Sequence, residues 1–246
     1  MDTDTFSEYD DFAWLYNRYW GNNFTEPALA MLRKSGALRH KDGKGTVLDL
    51  CCGTGQLSYA LSQMGYHVIG IDGSEQVLQF ARKNAPNCKF IQSDARSFSL
   101  EEQANIAVSA YDSLNHIMNL QELQQAFKSV HASLKDGGVF VFDLNMKEGF
   151  ETRWRGSFGL VGDDHTAVLR SNYNPKNKTA RLDITMFFRR KELWKRSDLT
   201  LMEKCYTEGQ IKSSLQKSGF NQIKSFDFQR DLKLREVGRT FFIGHR

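Results

Sequence analysis

Val47-Leu48-Asp49-Leu50-Cys51-Cys52-Gly53-Thr54-Gly55 carries an apolar stretch straight into a turn of small residues, and a second apolar run ends at Asp72. A buried strand, a tight turn and the start of a helix follow one another here, as in a nucleotide-binding βαβ unit. Gly53 and Gly55 have no Cβ, so the backbone can bend sharply there and come close to a ligand. Asp72 lies about 20 residues beyond the first strand, the spacing at which a carboxylate meets a ribose diol.

Two ligands suit such a unit, a nicotinamide dinucleotide and S-adenosylmethionine (SAM). The dinucleotide fingerprint wants a third small residue three positions after the second glycine, to let helix and strand pack closely. Ser58 stands there, so the strict three-glycine form fails. Asp49 lies inside the apolar strand, and a buried carboxylate is costly without partners near the strand end. It would repel a pyrophosphate and attract an ammonium or a sulfonium. SAM is therefore the expected cofactor. An NAD(P)-dependent oxidoreductase and a non-catalytic SAM-binding protein are the alternatives.

The chain has 246 residues, 40% hydrophobic and 25% charged, with a net charge of +4. That is room for one elaborated α/β domain of an ordinary globular protein. No Lys/Arg tract is long enough to propose a nucleic-acid surface; the densest, Arg189-Arg190-Lys191, suits a solvated strand end. Cys51, Cys52, Cys88 and Cys205 show neither metal-ligand spacing nor a disulfide framework, so no metal is expected and a reducing cytoplasm suits them. The start, Met1-Asp2-Thr3-Asp4, is acidic where a secretory leader would be basic, and no apolar run approaches membrane-spanning length.

From Tyr9 to Leu38 the pattern is helical. Phe12, Tyr16 and Tyr19–Trp20 form an aromatic stripe, and Thr25 is placed to cap a second helix with Pro27 in its first turn. Strands are then expected at 47–51, 67–71, 88–92, 105–110 and 138–144, and helices at 56–64, 74–84 and 120–134. Alternation of this kind predicts a parallel sheet covered on both faces. Asp136-Gly137-Gly138 is the expected turn into the strand at 138. Composition changes near Gly149, and three antiparallel strands are expected at 165–174, 179–190 and 194–206. A helix at 207–218 and strands at 221–228 and 239–245 finish the chain. The domain reading is a core of residues 1–150 and 207–246 with an N-terminal helical lid, and a β-insert at 151–206 covering the substrate side.

With its last strand antiparallel in a seven-stranded, Rossmann-like doubly wound α/β sheet, the layout resembles the class I SAM-dependent methyltransferases. Val47–Gly55, Asp72, Ser93-Asp94-Ala95 and Leu134–Phe142 carry the resemblance over nearly the whole chain. Phe12–Tyr16 and Tyr111–Ile117 look like the small-molecule branch, which includes amino-sugar N-methyltransferases and resembles glycine N-methyltransferase. There are departures. Ala104-Asn105-Ile106 stands where an acidic residue usually starts the fourth strand, and the Asp/Asn-Pro-Pro-Tyr/Phe signature of base methyltransferases is absent.

The resemblance implies methyl transfer by in-line displacement to a nitrogen or oxygen of a small-molecule acceptor, in a cytoplasmic monomer or homodimer. It places Asp49, Gly53 and Gly55 around the methionine and ribose parts of SAM, Asp72 on the ribose hydroxyls, and Asp94 with Ala95 beside the adenine. Ser109 and Ala110 should border the methyl-transfer cavity, and Tyr9 and Tyr16 should close over the ligand. His116 is the candidate base, and Asp112 and Asn115 are candidate acceptor contacts. Asn172, Tyr173, Arg181 and Trp194 in the insert suggest a small polar acceptor.

Overall fold

A computed structural model describes residues 12–38 and 45–246. The central strands β1 (Thr46–Leu50), β2 (His67–Asp72), β3 (Lys89–Gln92), β4 (Ala104–Ser109) and β5 (Leu134–Asn145) are parallel. β10 (Asn221–Asp227) and β11 (Arg239–His245) complete a seven-stranded sheet in the order β10-β11-β5-β4-β1-β2-β3. β11 runs antiparallel to both β5 and β10. This is the architecture expected from the alternation of the sequence.

Period-two alternation divides each central strand between two apolar layers. Leu48 and Leu50, with Phe140 and Phe142, meet Leu123, Phe127 and Val130 of α5 (Leu120–Ser133) and Ile211 and Leu215 of α7 (Glu208–Lys217). Val47, Val139 and Val141 turn the other way, onto α2 (Thr25–Ser35), α3 (Gln56–Gln63) and α8 (Phe228–Leu232). Asp49 shares parity with Val47, so it faces α3. Ser74 caps α4 (Glu75–Asn84), Asn119 caps α5, and Thr207 with Gln210 forms a capping box on α7.

A second sheet, β6 (Arg155–Val161), β7 (His165–Asn174), β8 (Thr179–Arg190) and β9 (Leu193–Lys204), is antiparallel throughout. α6 (Lys147–Arg153) leads into it. Its inner face, including Ala167, Leu169, Ile184, Met186 and Leu201, packs with Phe12 and Leu15 at α1 (Ala13–Tyr19). Its outer face carries a polar ladder in which Arg181 and Thr200 donate to Asp183, and Thr185 donates to Asp198.

Several local expectations are corrected. The insert has four strands instead of three, because β6 pairs along β7 despite two glycines and little burial. Thr25 is the first residue of α2 and makes no side-chain cap; Phe24 precedes it. Asp136-Gly137-Gly138 does not interrupt the chain as a separate turn. Leu134 pairs with Ala104 and Val139 with Ile106, so the intervening residues form a bulge inside β5, with Gly137 at φ +75°. Among the described residues no helix is long and apolar enough to cross a membrane.

Candidate active site

The carboxyl ends of β1 to β4 open into a cavity of about 900 Å³, roofed by α1 and the inner face of the second sheet. Outside the strand ends of an open α/β sheet is where such folds bind ligands. Tyr16, Gly53, Asp72, Asp94, Ala95, Asp112 and His116 all line it. Tyr9 lies outside the described residues. Asp49, Gly55, Ser109 and Asn115 lie behind the wall instead of on it.

Gly53 sits at φ +55° beneath the ring of Tyr16, and a Cβ there would come within 3.4 Å of that ring. The turn is held by Asp72, whose Oδ2 accepts the Gly53 N–H at 2.9 Å while Oδ1 accepts the Ser74 N–H at 3.0 Å. Asp72 therefore orders the backbone on both sides of itself and still lies on the cavity wall. Asp94 also lines the wall, with its oxygens engaged by Arg96 at 2.9 and 3.0 Å. That guanidinium is the main reason its carboxyl is held below the usual range.

Four of the expected residues sit behind the wall, each for a local reason. Asp49 is 2% exposed and takes the Ser58 hydroxyl at 2.6 Å. Ser58 thus stands at the third-glycine position because it bonds the strand acid. Burial pushes Asp49 up to about 7, so its charge is not a fixed attraction for a cation at neutral pH. Gly55, at φ +84°, serves close packing: a Cβ would lie 3.0 Å from Ala81 Cα on α4. Ser109 is buried at the end of β4, paired with Phe142. Asn115 is wholly buried; it donates to the Asn145 and Lys204 carbonyls and accepts the Asn145 N–H, joining the two sheets.

The residues that reach the cavity from β4 do so through a strained turn. Tyr111 and Asp112 have φ of +65° and +54°, unusual for residues with side chains. Asp143 compensates by accepting both N–H groups, at 2.7 and 3.1 Å. Arg239 from β11 joins Asp143 and Asp112, and its guanidinium lies 4.6 Å from the Phe24 ring centroid. Next to this cluster His116 Nδ1 is 2.9 Å from the Met202 carbonyl and its Nε2 is 3.8 Å from Glu203 Oε1. Glu203, Arg239 and Asp143 were missed from the sequence. Asp143 and Arg239 are charges in or at the start of apolar strands, the signal that singled out Asp49, whereas Glu203, beside Lys204 near a strand end, carries no such mark.

The roof is fixed from two sides. Asn17 of α1 accepts from Gln56 and Asn84, and Tyr19 is 2.5 Å from His165 Nε2 on β7. In the insert, Asn172 and Arg181 belong to the outer face and Trp194 is 52% exposed, while Tyr173 stacks on Phe150. None of these lines the cavity, so they give no support to a polar acceptor. Asn105, where an acid was expected, accepts the Thr46 N–H at 3.0 Å and ties β4 to β1.

The Ser58–Asp49 pair makes a clear test of the strand–helix joint. Ser58→Ala removes the hydroxyl donor of a buried carboxyl and keeps only the backbone one, and a loss of about 1–3 kcal/mol in unfolding free energy is expected in urea titration. A change under about 0.5 kcal/mol, the low end for a single hydrogen bond, would show that the pair contributes nothing to the joint.

Residues 47–138 match the family model of the methyltransferase domain. Over 205 residues the chain is 28% identical to YqeM of Bacillus subtilis, a methyltransferase by name, covering 81% of this chain and 83% of that one. It is 28% identical over 141 residues to the dTDP-3-amino-3,4,6-trideoxy-alpha-D-glucopyranose N,N-dimethyltransferase of Streptomyces venezuelae, with 56% and 59% coverage. Among solved structures, a SAM-dependent methyltransferase from Clostridium acetobutylicum superposes with a TM-score of 0.75 at 21% identity, covering 97% of this chain and 99% of that one.

Proposed function

We infer that this chain, a class I SAM-dependent methyltransferase by its domain match and its sheet order, methylates a nitrogen or oxygen of a small-molecule acceptor. The observation that carries the inference is the single cavity wall formed by Gly53, Asp72, Asp94 and His116 at the strand ends, roofed by the second sheet. A roof of this kind leaves room for a small acceptor beside the donor and excludes water. The sugar N,N-dimethyltransferase among its relatives favours nitrogen as the acceptor atom.

The wall fits SAM better than a dinucleotide. Asp72 and Asp112 line the same cavity as Gly53, and Gln56, the first residue of α3, has its side chain bonded to Thr54 and Asn17. A pyrophosphate would need open backbone N–H groups at that N-terminus and no carboxylate beside them, whereas Asp72 suits the ribose of either ligand. When bound, SAM supplies a methyl group already activated by a sulfonium leaving group. The protein's part is then alignment and exclusion of water. Asp72 would accept the ribose hydroxyls, Asp94 and Ala95 would flank the adenine, and Tyr16 would close over the methionine end. His116, with Nδ1–H given to the Met202 carbonyl, presents Nε2 as a proton acceptor. Residues 151–206 serve as the acceptor-side cover of a core made from 1–150 and 207–246.

Thermal unfolding with SAM, S-adenosylhomocysteine, NADH and NADPH tests this. A ligand at a hundred times its dissociation constant adds ~2.7 kcal/mol, a rise of roughly 5–10 °C for a domain of this size. The rise is expected with SAM and S-adenosylhomocysteine alone. A rise with NADH and none with SAM would replace the assignment by an oxidoreductase.

A further inference from the structure

The acceptor side of the cavity is chemically divided. Leu169, Leu182 and Leu201 come from three neighbouring strands and make the apolar part of that wall, with Ser171 across from Leu182 and with Phe158 and Trp154 at its margin. The groups suited to a ring of hydroxyls, such as Arg181, Asp183 and Thr200, are on the other face of that sheet and bond one another.

At the end of the apolar surface stands Glu203, only 4% exposed and on the cavity wall. Asn145 Nδ2 reaches its Oε2 at 3.4 Å, and His116 Nε2 lies 3.8 Å from its Oε1, beyond hydrogen-bond length. Among the described residues no guanidinium lies within ion-pair distance of it. Arg239 is committed to Asp112 and Asp143, and Arg153 donates to Asn145 Oδ1 and the Val237 carbonyl. The carboxyls of Asp112, Asp143 and Glu203 outnumber these two guanidiniums, and Glu236 adds a further acid beside Arg153. Burial, and then the charge of Asp112, raise Glu203 well above the ordinary carboxyl range. Without a ligand the carboxyl keeps its proton, and an ammonium bound beside it would favour the carboxylate and supply the cation this point of the wall lacks.

We propose that the acceptor is an amine on an apolar body, its ammonium held by Glu203 and its hydrocarbon or aromatic part lying on Leu169, Leu182 and Leu201. The proposal rests on the methyltransferase reading and narrows it. Glu203 determines specificity and takes the proton. One N–H proton passes to Oε1, the carboxylate becomes a carboxylic acid, and the electron pair of that bond stays on nitrogen as the lone pair methylation needs. A carboxyl with an elevated proton affinity suits this exchange. A hydroxyl acceptor brings no charge to Glu203, and an amino sugar would set much of its ring of hydroxyls against leucines, with Ser171 as a polar neighbour on that face.

Titration calorimetry in saturating S-adenosylhomocysteine, with 2-phenylethylamine, 2-phenylethanol and glucosamine as probes, tests it. Wild-type protein is expected to bind 2-phenylethylamine at least tenfold more tightly than either other probe. Glu203→Gln should lose at least tenfold for the amine while its S-adenosylhomocysteine affinity stays within twofold, which also reports that it folds. Leu182→Gln should lose a similar factor through the apolar surface, with Glu203 intact. Preference for glucosamine or 2-phenylethanol, or a Glu203→Gln protein that keeps the amine preference, would overturn the assignment. S-adenosylhomocysteine failing to bind wild-type protein would overturn the methyltransferase reading and this proposal together. Binding without amine preference would overturn this proposal alone.

Discussion

Replacing Asp72 with alanine is expected to weaken S-adenosylhomocysteine binding by about 100-fold in titration calorimetry. Hydrogen bonds to a charged group contribute roughly 1.5–3 kcal/mol each, and a ribose diol offers two donors to one carboxylate. The same substitution removes the acceptors of Gly53 N–H and Ser74 N–H, so the turn on one side and the start of α4 on the other both loosen. These amides border the cavity, where water can replace the lost acceptor, so the cost to folding should stay near 1–2 kcal/mol. Asp72→Asn separates the two effects. It keeps one carbonyl oxygen for a backbone amide and loses the charge, so it should sit between wild type and Asp72→Ala in affinity while melting near wild type. An Asp72→Ala protein that binds S-adenosylhomocysteine within threefold of wild type would remove Asp72 from the ribose.

The two ends of this site differ in how far the sequence exposes them. Val47–Gly55 and Asp72 are adjacent in the chain to the elements that position them, so apolar runs, turn glycines and one spacing suffice to place that wall. The opposite wall depends on a second sheet whose inner face is defined only by what it covers. Arg155–Val161 has glycines at 156 and 159 and exposed side chains, so no alternation marks it as β6. Glu203 ends a strand whose phase is readable, but not which phase faces the cavity. Asn172 and Arg181 show the same limit: polar residues on an insert mark its solvated face as readily as a binding face. The rule that a charge in an apolar strand needs a partner applied to Asp49, and Ser58 is that partner. Applied equally to Asp143 and Arg239, it marks the ion cluster that holds the Tyr111–Asp112 turn.

That cluster carries the largest expected effect on folding. Arg239→Met should destabilise the protein by about 3–5 kcal/mol at pH 8, because it leaves Asp112 and Asp143 buried without their cation. Methionine fills much of the space beside the stacked rings of Phe24 and Tyr111, so lost packing is a small part of the change. The pH dependence identifies the cause. In the wild type, burial raises Asp143 to about 6 even though Arg239 pulls it down. The folded state therefore holds more protons than the unfolded chain between about pH 4 and 6, and stability falls as pH rises through that window. Asp49, raised to about 7, adds the same sign over a slightly wider range. Without Arg239 the two carboxyls rise further, so the variant takes up more protons on folding and its stability falls more steeply with pH. Its deficit should be largest at pH 8 and clearly smaller at pH 5, measured by urea unfolding at both. Adding Asp143→Asn to Arg239→Met should recover part of the loss. Asparagine keeps a carbonyl oxygen for one of the two turn amides and removes one buried charge. A deficit of equal size at pH 5 and pH 8 would mean that shape, and not charge, is what Arg239 contributes.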